Sequence, residues 1–162
     1  MEGLIRWDNL QRVLGELGQE IRNEYQDKLI RDDKIATGDL LNSVEYEVQY
    51  DDRSIWVELH LEDYYRWVEN GRDPGKYPPQ DAILEWIKVK PVIPDGRNGV
   101  LPTEKQLAFL ISRKIAEQGI EPGHQLRRTM RDFRQEIEDR IDEAIAQDIN
   151  EAINIIFSSF FN

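Results

Sequence analysis

The chain has 162 residues, of which 40% are hydrophobic and 33% charged, with a formal net charge of −11 and no cysteine. That length suits one domain with extensions, and the negative field argues against nucleic-acid readers and anionic-membrane binders. Without cysteine there are no disulfides, no thiolate catalysis and no cysteine-ligated zinc, which fits a reducing compartment. The first twenty residues, MEGLIRWDNLQRVLGELGQE, alternate apolar and charged side chains and do not read as a signal peptide. No stretch approaches the roughly 18 apolar residues that would span a bilayer, so the expectation is a soluble intracellular product.

Residues 4–31 read as a helix, because Leu10, Leu14, Leu17, Ile21, Tyr25 and Leu29 recur at three- and four-residue steps. Gly15 and Gly18 weaken that helix, and RDDKIATGDL breaks it. SVEYEVQY (43–50) and SIWVELHL (54–61) alternate strictly and are joined by DDR, which predicts a β-hairpin with one buried face. A lone hairpin is marginal, so the first helix or further strands must cover it.

A short helix follows from about Glu62 to Asn70, with Tyr64 and Val68 as its core side and Gly71 as its left-handed stop. Tyr65 and Trp67 are then left for an interface, where large amphipathic aromatics are favoured. Glu69 is expected to pair with Arg72 or Lys76. The segment RDPGKYPP (72–79) is expected to project as a stiff loop, offering Arg72, Lys76 and Tyr77 to a neighbour. Pro79 opens a helix that Pro91 closes. PVIPDGRNGVLP (91–102) is turn-rich, with room for a short hairpin. Thr103 and Gln106 form a capping box ahead of a helix that carries Leu107, Leu110, Ile111 and Ile115 on one side and ends at Gly119.

From Leu126 the apolar residues run Met130, Phe133, Ile137, Ile141, Ile145, Ile149, Ile153, Ile156 and Phe160. One helix over 124–160 would be roughly 55 Å long, too long for its own domain to cover. Its far half, with Ile149, Ile153, Phe157 and Phe160, must bury against another chain or fold back as a hairpin. The expected class is α+β: a small antiparallel sheet with a hairpin, packed by the N-terminal helix and several C-terminal helices, one of them long. The expected organisation is a core over 1–125 with a helical insertion at about 79–118, and a helical extension over 126–162.

Glu58, His60, Glu62 and Asp63 are the best candidate for a divalent-metal or catalytic cluster. Their strand context, with Trp56 on the same face and no second histidine nearby, favours a solvated or interface face. His124 starts the last helix and could pair with an acid, and no Ser-His-Asp arrangement can be argued from the histidines at 60 and 124. Arg113, Lys114, Arg127, Arg128, Arg131 and Arg134 lie among acids and read as salt-bridge partners rather than a phosphate grip. No catalytic residue, metal or cofactor is assigned, and the chain is read as a non-enzyme.

ATGDLLNSVEYEV (36–48), followed by a second strand and YYRWVENGR (64–72), resembles the tail-completion, or neck, proteins of tailed bacteriophages. Thr37, Gly38, Leu40, Ser43 and Val44 match the family's entrance to its first strand, and Tyr64, Trp67, Val68, Glu69 and Gly71 match its aromatic segment. Tyr65 stands where a small residue is usual and Arg72 where threonine is usual. EPGHQLRRTM (121–130) is placed like the family's turn into the terminal helix. The resemblance implies a structural role. Its members form rings, usually six- or twelvefold, between the head connector and the tail tube of the virion, assembled in the host cytoplasm. DNA passes through without sequence-specific contact, and the neighbours are connector and tail proteins. Two other readings compete: an acidic helical adaptor or inhibitor of one protein partner, and a metal-dependent enzyme using the Glu58–Asp63 cluster.

Overall fold

The hairpin alternation and the three- to four-residue apolar steps both emerge in the structure, a computed structural model that describes residues 5–51, 53–90, 92 and 101–160. The turn-rich residues 93–100 lie outside the described residues, with the hairpin expected there. The order is α1 (Asp8–Arg31), α2 (Asp39–Ser43), β1 (Glu45–Tyr50), β2 (Ile55–His60), α3 (Tyr65–Asn70), α4 (Gln80–Val89), α5 (Glu104–Gln118), α6 (Gln125–Asp132) and α7 (Arg134–Phe160). The class is α+β with a two-stranded antiparallel sheet. The chain groups into two units that are discontinuous in sequence. The first holds residues up to Lys28, Val44–Leu61 and everything from Leu126 on; the second holds Leu29–Ser43 and Glu62–Gln125.

In the first unit, β1 and β2 pair with Tyr46 opposite Leu59, Val48 opposite Val57 and Tyr50 opposite Ile55. Those residues share one face, and Glu45, Glu47 and Glu58 stand exposed on the other, as alternation requires. Helix α1 backs the hairpin through Gly18. A Cβ at that position would lie 2.5 Å from the Tyr46 ring, so the glycine is the seat of the tyrosine. Nothing approaches a Cβ at Gly15. The two glycines therefore predict opposite outcomes. Gly15→Ala should raise stability by about 1 kcal/mol through helix propensity, and Gly18→Ala should lower it by about 1–3 kcal/mol by overpacking. Urea denaturation of the two variants reads both signs.

Helices α1 and α7 pack around Val13, Leu17 and Ala144, with Leu10, Ile137 and Ile141 at the margin. Polar contacts fix the pairing. Arg140 binds Glu20 at 2.7 Å, Glu16 at 2.9 Å and Glu136 at 3.0 Å. The buried Lys28 ammonium binds Asp132 at 2.8 Å and Glu24 at 3.0 Å. Asp148, 1% exposed, accepts from the Asn9 and Leu10 backbone N–H groups, both at 3.0 Å, and from the Asn9 amide at 2.8 Å. The first N–H groups of a helix have no partner within it, so a residue of the terminal helix caps α1.

The continuous helix expected over 124–160 is interrupted at Phe133, although hydrogen bonds from Phe133 to Thr129 and from Ile137 to Phe133 carry the backbone across the break. The buried residues of α7 are Ala144, Asp148 and Ala152. They lie one residue, about 100° of helix rotation, from the expected stripe at Ile145, Ile149 and Ile153.

The second unit holds Thr37, Gly38, Leu40 and Ser43 and the whole of YYRWVENGR (64–72). Gly38 and Thr37 open the short helix α2, which sequence periodicity does not reveal. The Asn42 N–H donates to the Gly38 carbonyl, and the Asp39 N–H donates to the Thr37 hydroxyl. Leu40 is buried. The Ser43 hydroxyl donates to the Leu40 carbonyl and accepts from the Glu62 N–H.

Helix α3 begins at Tyr65, three residues later than expected, after a turn in which the Tyr65 N–H donates to the Glu62 carbonyl. Gly71 ends it at φ 67° and ψ −155°, a conformation open essentially to glycine alone. Arg72 and Ile120 then exchange backbone hydrogen bonds of 2.9 and 2.8 Å as an isolated antiparallel bridge. Gly119, at φ 74°, stands in the same position on the opposing strand. A Cβ on Gly71 would overlap the Ile120 carbonyl, and a Cβ on Gly119 would overlap the Arg72 carbonyl. Gly71 is therefore the expected glycine stop, at positive φ but with ψ far from the left-handed helical value, and also a point of close backbone approach.

The 72–79 loop does not project as expected. The Gly75 N–H donates to the Ala116 carbonyl at 2.8 Å, Pro78 is buried, and Tyr77 stacks on Phe109 of α5 at 6.5 Å. Pro79 is the N-cap of α4 rather than its first residue. The Thr103–Gln106 capping box forms as expected. In α5 the buried residues are Ala108 and Ser112, whereas Leu110, expected on the core side, is exposed.

Candidate functional site

The most buried positions of α5 and α7 are small or polar, and several large apolar side chains, Phe109, Leu110, Ile149, Ile153, Phe157 and Phe160 among them, are exposed. The second unit has an apolar groove of about 570 Å³. Ile83 and Trp86 of α4, Ile111 and Ile115 of α5, and Trp67 and Ile120 form its walls. Tyr64 also lines it. That volume falls within the range of ligand sites, ~300–1,000 Å³.

Part of the groove lining is polar. There the Lys90 ammonium contacts the Asp33 carboxylate at 2.6 Å and donates to the Asp33 carbonyl at 2.9 Å, and Lys34 lies beside them. Tyr64 was expected in the core but is 40% exposed. Its hydroxyl accepts from the Leu40 N–H at 2.5 Å, which ties it to α2. Partial burial, reinforced by the nearby Asp39 carboxylate, pushes the phenol above its ordinary value, so it is a neutral hydroxyl at pH 7.

Helix α7 shows a second apolar surface, in the first unit. Ile149, Ile153, Phe157 and Phe160 are 38%, 41%, 59% and 77% exposed. Steps of four, four and three place them on one face. The same segment shows Ile155, also exposed.

The other expected interface residues divide. Trp67 is exposed and on the groove wall, whereas Tyr65, expected to be free, is half-buried. Arg72 is half-buried in the bridge to Ile120 and donates through its guanidinium to the Lys76 carbonyl at 2.8 Å. Lys76 and Tyr77 are exposed, and Glu69 and Gly71 are buried. Val68, expected in the core, is half-buried, and its carbonyl accepts from the Gly123 N–H.

Comparison with protein-family models, curated proteins and solved structures finds no match. Function therefore rests on the surfaces themselves. Among the described residues, no three acidic, histidine or cysteine side chains come together to hold a metal ion. His60 stands 3.9 Å from Glu47 across the hairpin, and both are exposed. His124, at φ 55°, donates its backbone N–H to the Glu69 carbonyl, and its Nδ1 is buried without a hydrogen bond. Arg131 and Arg113 pair with Asp132 and Glu117, as the interleaved charges suggested. No helix among the described residues is long and apolar enough to cross a membrane.

The groove brings together residues from segments up to 87 positions apart, Asp33 to Ile120. Ile83 and Trp86, one turn apart in AILEWI, were the available signal, but periodicity could not say that they stay half-buried on a groove wall. What the two surfaces can do is bind apolar side chains.

Proposed function

We propose that this chain is a structural subunit of a bacteriophage virion, one copy of an oligomeric ring at the head–tail junction around the DNA channel. The observation that carries this reading is the exposed row Ile149, Ile153, Phe157 and Phe160 on α7. A contiguous apolar face of that kind marks an interaction surface. The two segments that resemble neck proteins are also joined directly, by the Leu40–Tyr64 and Ser43–Glu62 hydrogen bonds. Their pairing in sequence thus corresponds to one structural element.

The role is structural rather than catalytic. A net charge of −11 suits a ring through which DNA slides without sequence-specific binding. The neighbours would be connector and tail proteins, and assembly would take place in the host cytoplasm. Six- or twelvefold symmetry follows from the resemblance.

Negative-stain images of the purified chain test this reading. Annular particles with an open centre are expected. Single-chain particles that gain helix only when a partner protein is added would replace it with the adaptor reading.

A further inference from the structure

We propose that the apolar face at the end of α7 seats in the groove of a second copy of this chain, head to tail. The proposal rests on the oligomeric reading above and names the two surfaces that meet. Ile149, Ile153, Phe157 and Phe160 form the i, i+4, i+8, i+11 row with which an amphipathic helix enters a hydrophobic groove. The groove offers two tryptophans, Trp67 and Trp86, among isoleucines, the composition that dominates interface energetics. At about 570 Å³ it takes the side chains of one helix face, not a whole helix.

Charge selects the occupant. Copies of a chain with net charge −11 repel one another, so self-contact must join surfaces of low or opposite charge. Residues 149–160 carry one ionisable side chain, Glu151, and no base. Glu151 is engaged by the Asn9 amide at 3.2 Å in its own chain. The last carbonyls of α7 carry the partial negative charge of a helix C-terminus. The charged residues lining the groove are Lys34, Lys90 and Asp33, one positive charge in excess. Because helix face and groove are different surfaces, the contact is heterologous, and such contacts close into rings when the rotation between copies allows.

Photo-cross-linking tests this directly. Phe157 is replaced by benzoylphenylalanine, and equal amounts of normal and 15N-labelled chain are mixed and irradiated. The solution mass of the same sample is measured by light scattering. The expected result is a mixed-isotope cross-link between the α7 peptide and peptides containing Trp67, Trp86 or Ile115, reduced at least tenfold by Ile153→Asp. Cross-links to other surfaces of a second copy, in a sample of oligomeric mass, would overturn the docking and leave the ring reading standing. Cross-links only within one chain, or none, would also overturn it, and a single-chain mass in that sample would remove the oligomeric reading as well.

Discussion

Gly71→Ala and Gly71→Val should each destabilise the chain by about 3–5 kcal/mol. Two effects combine. The backbone at φ 67° and ψ −155° is closed to a residue with a side chain. Any Cβ there would also overlap the Ile120 carbonyl, against backbone that cannot rotate aside. Relief requires breaking the Arg72–Ile120 bridge, which ties the end of α3 to the segment after α5.

Because alanine already carries the offending Cβ, valine should add little. Gly119→Ala should cost a similar amount, since its Cβ would overlap the Arg72 carbonyl of the same bridge. The Gly71→Ala/Gly119→Ala double variant should cost clearly less than the sum, because one bridge can be lost only once. Urea denaturation of the four variants measures this. Losses under about 1 kcal/mol would contradict the bridge as a structural tie.

The second large effect is expected at Asp148. Its carboxylate accepts three hydrogen bonds from Asn9 and Leu10 and is almost fully buried. Removing a charged acceptor leaves half-buried donors without that partner, at about 1–3 kcal/mol each before relaxation and water entry, while helix-cap losses alone run to about 2 kcal/mol. Asp148→Ala should therefore lower stability by about 2–4 kcal/mol. Asp148→Asn, which keeps one acceptor oxygen, should lower it less. Hydrogen exchange gives the location: the Asn9 and Leu10 amides should lose protection before those in the middle of α1. Equal exchange in wild type and Asp148→Ala would show that the cap is inconsequential.

Several elements were legible in the sequence because their signals are local. Strict alternation over 43–50 and 54–61 gave the hairpin and its faces. Thr103 and Gln106 gave the start of α5, and Gly71 gave the stop of α3. Each depends on residues within one turn or one strand.

The inner faces of α5 and α7 were not legible. Periodicity weights large apolar residues, so it favoured Leu110 and the Ile145–Ile149–Ile153 row, whereas Ala108, Ser112, Ala144, Asp148 and Ala152 face inward. Small residues carry no periodic apolar signal, and the aspartate caps backbone 139 positions away. The groove was hidden for a related reason. Tyr64 looked like core by spacing, yet its hydroxyl is held at the Leu40 backbone, which leaves the ring at a groove wall. The loop 72–79 looked free because proline and glycine stiffen it, and sequence could not show Gly75 bonded to Ala116 or Tyr77 stacked on Phe109.

The apolar row of α7 is proposed as the surface through which copies of this chain assemble. Light scattering of the wild type and of the Ile153→Asp/Phe157→Asp double variant, over a range of concentrations, tests it most directly. Both side chains are exposed, so the variant should keep its helix content, while its melting temperature falls by whatever stability association supplies. The wild type should show a mass several times 19.1 kDa, and the variant should fall to 19.1 kDa. A wild type that stays at 19.1 kDa throughout, or a variant that assembles as well as the wild type, would contradict the account.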